Sequence, residues 1–302
     1  MSFSRKVTWI RWTLIATPFV IVIAAAYFLS PALRERRLQV DLGRVSDTFT
    51  RLDVGAVQTY HPDSVPAEHA RFLATALETF CDALVGEWGD FFRLRRVPAP
   101  MILQVFESTA QLEEFHRNRF RDEFHNLGGF YDAGSRLIAL PAGPGIEAVR
   151  TVFHEGTHLV FDLSHSKSIG RLPIWVNEGL ATYFEESQSG PDGFSLGGLN
   201  VPMARVVSDA LERGLIRGSE QIVEAGPREF QGTDNALYYA AAHTLVAYLL
   251  QGEEGAYRNA FGSYYRELLG GGRRTRGLVY FKVGKQPEEM DEGWRRFIKR
   301  QQ

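Results

Sequence analysis

Five consecutive residues, His154-Glu155-Gly156-Thr157-His158, have the types and spacing that metal-assisted hydrolysis requires. On a helix, histidines four residues apart project from one face, close enough to share a single ion. Two neutral imidazoles suit Zn²⁺. The carboxylate beside them, too far round the helix to ligate, can take a proton from water that the metal polarises. Apolar residues surround the motif, namely Val149, Val152, Phe153, Val160 and Phe161. They predict that it lies on a helix buried within a domain.

A catalytic zinc takes three protein ligands and keeps one position open. Trp175-Val176-Asn177-Glu178-Gly179-Leu180-Ala181 reads as part of a second helix, and the spacing from His158 leaves room for a loop and a return. Glu178 is therefore the expected third ligand. His165, in the polar connector over 162–172, ranks below it. A ligating imidazole also needs an acceptor for its other ring N–H, and Asp162 and Thr182 are the partners the sequence offers.

These two blocks resemble the gluzincin metallopeptidases, whose signature is H-E-x-x-H followed about twenty residues later by a glutamate on the next helix. Asn177-Glu178-Gly179, with Trp175 and Ala181, is especially similar to the aminopeptidase-N-like branch, and the resemblance covers roughly residues 125–250. It implies one Zn²⁺ per chain on His154, His158 and Glu178, with Glu155 as general base and a peptide or protein as substrate. It also implies a Tyr or His from a late helix that steadies the oxyanion. Tyr239 is the residue expected there, with Tyr238 and His243 as alternatives.

Enzymes of this class hold an extended substrate against the strand that precedes the zinc helix. That places a cleft rim at residues 128–131 and 137–140, with Gly129, Phe130 and Tyr131 as substrate-binding residues. An ordinary hairpin whose glycines only make turns is the alternative. The chain departs from the pattern twice. It lacks the Gly-x-Met-Glu-Asn segment with which aminopeptidase-N-like enzymes bind a free amino terminus, so the expectation is an endopeptidase. Thermolysin-like enzymes carry a carboxylate four residues after the ligand glutamate, where this chain has Thr182.

The elements that must position these residues follow from periodicity. Apolar spacing from Phe72 to Trp88 predicts a long amphipathic helix over 66–92, and Met101 to Phe106 reads as a buried strand. Val54 to Tyr60 reads as a strand, 109–120 as a helix with a solvated charged side, and 128–140 as a β-hairpin leading into the metal helix. A further hairpin is expected over 190–198, with helices over 201–215, 235–250 and 287–300, the last with Trp294 and Phe297 inward. His61, His69, His116 and His125 lack motif partners and are assigned no role. The expected fold is a mainly helical α+β zincin-like domain with a small sheet over 67–302, preceded by a connecting segment over 34–66.

Residues 1–33 differ in kind. Leu14 to Leu29 carries no charge and follows Arg5, Lys6 and Arg11, with Trp9 and Trp12 suited to a membrane interface. Ala24-Ala25-Ala26 suggests a cleaved signal, but Tyr27, Phe28 and Leu29 continue the apolar run past it. One N-terminal transmembrane helix is expected, with the N-terminus inside and the catalytic domain extracytoplasmic. The chain has 302 residues, 23% of them charged, and a formal net charge of −2. That balance gives no reason to expect a nucleic-acid partner. Cys81 stands alone, which excludes an internal disulfide and a thiolate metal site, and reads as core. Two rivals to a membrane-anchored peptidase remain: a catalytically silent zincin that binds a peptide or partner, and a structural protein in which the motif is only helix surface. The intact Glu155 opposes the first. The cost of burying two unpaired imidazoles opposes the second.

Overall fold

In the computed structural model, which describes residues 49–120, 128–143, 145–165, 168–190, 193–271 and 277–300, the strands of the first half join one mixed sheet. Strands β1 (Thr50–Val54), β2 (Val57–His61), β3 (Met101–Phe106), β4 (Phe130–Asp132) and β5 (Leu137–Pro141) lie in the order β1-β2-β3-β5-β4. The pairs β1/β2 and β4/β5 are antiparallel, whereas β2/β3 and β3/β5 are parallel. Every residue of β3 is buried, as expected of a strand with parallel neighbours and both faces covered. Where the apolar pattern predicts one strand over 54–60, the chain makes two, reversing at Gly55 with φ +53°. Glycine reaches that left-handed conformation without a Cβ clash. The compact unit thus begins at Thr50, and the hairpin belongs to the sheet.

Two helices support the metal motif. Helix α1 (Ala67–Phe92) lays its apolar stripe of Leu73, Leu77, Phe80, Leu84 and Trp88 on the sheet and on the metal helix. After α2 (Thr109–Phe120) and the β4–β5 hairpin comes α3 (Gly145–His165), which carries the motif. A Cβ on Gly156 would stand 3.1 Å from Leu77 Cδ1 and 3.2 Å from Phe80 Cδ1, so α3 meets α1 closely at this residue. Gly156 lies two positions, about 200° of rotation, from each histidine. Packing it inward turns His154 and His158 outward.

Helix α4 (Ile174–Phe184) follows a short 3₁₀ turn at Ile169–Arg171. Next come β6 (Gln188–Gly190), β7 (Gly193–Ser195), α5 (Val201–Glu212), α6 (Ser219–Glu224), α7 (Pro227–Phe230) and α8 (Asn235–Gly255), the last leaving helical geometry at Gly252–Glu254. Helices α4 and α8 cross closely at Gly179. A Cβ on Gly179 would fall 2.7 Å from Val246 Cγ2 and 2.8 Å from the Ala242 carbonyl. Only a residue without a side chain lets the backbones approach so far, and this closeness brings Tyr239 of α8 to Glu178 of α4. Helices α9 (Arg258–Leu269), α10 (Leu278–Val283) and α11 (Pro287–Lys299) close the far side, with Trp294 fully buried and Phe297 partly so.

The described residues therefore form a mainly helical α+β fold with a small sheet. The transmembrane helix predicted over 14–29 lies outside them, and no helix among the described residues is long and apolar enough to cross a membrane.

Candidate metal centre

On α3 the imidazoles of His154 and His158 stand with ring centroids 5.0 Å apart, both partly buried. Opposite them, α4 presents Glu178, whose Oε2 lies 3.5 Å from His154 Nε2 and 3.6 Å from His158 Nε2. One donor atom from each of the three residues falls within 4.8 Å of the others. Ligands held at roughly 2.0–2.1 Å around a tetrahedral ion are about 3.3 Å apart, close to the observed nitrogen–oxygen separations. Two imidazole nitrogens and one carboxylate oxygen converge here, with His154 and Glu178 lining an open cavity, and are a donor set that fits a divalent metal with a free coordination position.

The electrostatics are those of charges gathered out of water. Burial alone would raise the Glu178 carboxyl, but the two imidazoles hold it well below the usual carboxylate range. Burial would likewise lower His154, and the carboxylates of Glu178 and Glu185 hold it well above an ordinary histidine. Glu155 shifts the other way. It is 7% exposed, burial pushes its carboxyl up, and the neighbouring imidazoles only partly counter this. It stands outside the convergent donor set, with the backbone N–H of Tyr131 facing it.

The acceptor for the other nitrogen of His154 is Glu185, with Nδ1 and Oε2 3.1 Å apart. This residue had no place in the sequence reading, although its position seven residues after Glu178 puts both on one helical face two turns apart. The partners expected from sequence are engaged otherwise. Thr182 donates its hydroxyl to the carbonyls of Glu178 and Gly179 at 2.8 and 3.2 Å, inside its own helix. Asp162 accepts the Tyr131 hydroxyl at 2.9 Å. His165 lies against the Phe92 carbonyl, its Nε2 2.9 Å away, and does not join the site.

The cavity beside these candidate donors measures about 1320 Å³. Its walls are α3, the start of the β4 segment at Gly128 and Gly129, the α7 end with Phe230 to Thr233, and Tyr239. Tyr239 places its hydroxyl against Glu178. Burial and the charges of Glu178 and Glu155 push its phenol up, so it stays protonated. The alternatives point elsewhere: the Tyr238 hydroxyl accepts from Gln221 at 3.0 Å, and fully buried His243 accepts the Asn200 N–H at 2.8 Å. Of the three expected substrate-binding residues, Gly129 lines the cavity. A Cβ there would meet Thr151 Cγ2 at 2.5 Å, so the absent side chain keeps the rim close to α3. Phe130 turns instead to α2, packing edge-on against His116 with centroids 5.0 Å apart. Tyr131 commits its hydroxyl to Asp162. The segment over 231–233, a polar stretch with no periodicity to read, is a wall that sequence reasoning missed.

Residues 148–268 match the model of a family described as a protein of unknown function, DUF1570. The matched stretch includes His154, Glu155, His158, Glu178, Glu185 and Tyr239 and leaves the five-stranded sheet outside. No curated protein matches the chain.

Proposed function

We propose that this chain is a zinc-dependent endopeptidase, anchored to a membrane by residues 14–29 with its catalytic domain on the extracytoplasmic side. The observation that carries the reading is Glu155, a buried carboxylate beside two imidazoles and a third donor at the wall of an open cavity. A module that only binds has no use for a base there. His154, His158 and Glu178 would hold the ion, which when bound supplies Lewis acidity to water and to the scissile carbonyl.

The remaining work falls to the chain's own residues. Glu155 takes a proton as water oxygen attacks the carbonyl carbon, then passes it to the amine nitrogen as the carbon–nitrogen bond breaks. Burial raises its carboxyl and so favours this exchange. Tyr239, kept protonated, donates a hydrogen bond where negative charge develops on the former carbonyl oxygen. Gly128 and Gly129, at the rim beside edge strand β4, leave backbone groups free of side-chain cover for an extended substrate.

A peptide library incubated with the full-length protein in detergent tests this. Cleavage at internal bonds, abolished by a chelator and restored by Zn²⁺, is the expected outcome. Release of single terminal residues would replace the endopeptidase reading with an exopeptidase. No cleavage by zinc-loaded protein across peptides of varied length would remove the enzyme assignment.

A further inference from the structure

We propose that Arg150 is a positioning residue for His154, acting through Glu185. Arg150 is the one cationic Lys or Arg among the described residues lining the cavity, and in a hydrolase cleft such a guanidinium would ordinarily anchor a substrate carboxylate. Its contacts point to a different task. Nη2 donates to Glu185 Oε1 at 3.0 Å and also bonds Glu186 Oε1. Glu185 meanwhile uses its second oxygen, Oε2, to accept from His154 Nδ1. One carboxylate therefore bridges two residues of α3 that lie one turn apart, and each oxygen has its own partner.

The clamp is itself tied down. Glu186 Oε1 accepts the Asn200 side-chain amide at 2.7 Å, and Asn200 caps α5 by accepting the Met203 N–H at 2.8 Å. The Asn200 backbone N–H donates to buried His243 at 2.8 Å. Glu185 and Glu186 are adjacent, and both are less than one-fifth exposed. Without the guanidinium their charges would repel, and Glu185 would lose the geometry with which it holds the imidazole. The inference rests on the metal-site reading, because orienting His154 matters only if that nitrogen ligates.

The test is zinc affinity of the full-length protein in detergent, measured with Zn²⁺ alone against a chromophoric chelator. Arg150→Ala is expected to weaken binding about 10–100-fold, the usual effect of losing support behind a ligating histidine. Glu185→Gln should do the same, and the double variant should be no weaker than Glu185→Gln, because both act through one contact. Arg150→Lys, which keeps the charge, should recover part of the loss. Asn200→Asp keeps the helix cap but removes the donor to Glu186, and should weaken zinc in the same direction. These two carry the test if the alanine variant does not fold.

Unchanged zinc affinity in Arg150→Ala, or multiplicative losses in the double variant, would overturn the proposal. So would a KM increase confined to peptides with a carboxylate near the scissile bond, which would make Arg150 a substrate anchor. Zinc affinity that responds as expected in a protein that cleaves nothing leaves this proposal standing and removes the peptidase reading. A wild-type protein that binds no zinc removes both.

Discussion

The two halves of the metal helix are held in different ways. Its N-terminal half is fastened by charge: Arg150 and His154 both reach the carboxylates that end α4. Its C-terminal half is fastened by neutral donors and packing. The Tyr131 hydroxyl donates to Asp162, the Ser164 hydroxyl accepts from the Arg95 N–H at 2.9 Å, and His165 meets the Phe92 carbonyl. As a result the two imidazoles are unequal. His154 has a polar partner at both ring nitrogens, whereas among the described residues the close polar partner of His158 is Glu178, at Nε2, and Asp162 acts on it by charge alone. In the proposed metal site, His154 would be pre-set by the protein and His158 would be left for the ion to fix.

The sharpest test of that inequality replaces each histidine in turn. Both His154→Ala and His158→Ala should lose stoichiometric zinc, since each removes one of three ligands. Without metal they should differ. His154→Ala takes from Glu185 its imidazole partner and leaves Glu178 with His158 alone, and should lower metal-free stability by about 1–3 kcal/mol in chemical denaturation. His158→Ala should cost less. Equal losses would mean the Glu185 contact contributes nothing before metal arrives.

A smaller effect is expected from Glu185→Gln. The amide still reaches His154 Nδ1 but loses its charge and its ion pair with Arg150, so zinc affinity should fall about 10–100-fold with the fold intact. Chelator competition measures this, and an unchanged affinity would erase the contrast between the halves. Smallest is Tyr131→Phe, which removes one hydrogen bond from the C-terminal half. Stability should fall by about 0.5–1.5 kcal/mol while zinc affinity holds. A zinc loss here would show that Asp162 also steadies His158.

The contrast also separates what could be read from the amino-acid order from what could not. His154, Glu155 and His158 were legible because a helix converts spacing into a shared face, and Glu178 because a zinc site needs a third donor at loop distance. Glu185 obeys the same helical arithmetic from Glu178. Asp162, one turn after His158, and Thr182, one turn after Glu178, satisfy that arithmetic equally well, and spacing alone does not choose among the three. Strand alternation likewise bears on Phe130 and Tyr131: adjacent strand residues face opposite sides, so their side chains could not both serve one cleft. The Arg150 clamp joins α3 to the end of α4 across separations of 35 and 36 residues, and Glu186 carries it on to Asn200 across 14. No local pattern encodes such a pairing. The turn at Gly55 was hidden because Val54 and Ala56 keep the apolar run going on either side of it.

In the proposed enzyme, ligation and proton transfer are divided between neighbouring residues of one helix. Zinc per chain and peptide turnover, measured together in wild type and Glu155→Gln, test it most directly. One zinc is expected in both proteins, with turnover in the variant reduced about 10²–10⁴-fold. A variant that keeps zinc and cleaves as fast as wild type, or a wild-type chain that holds no zinc, would contradict it.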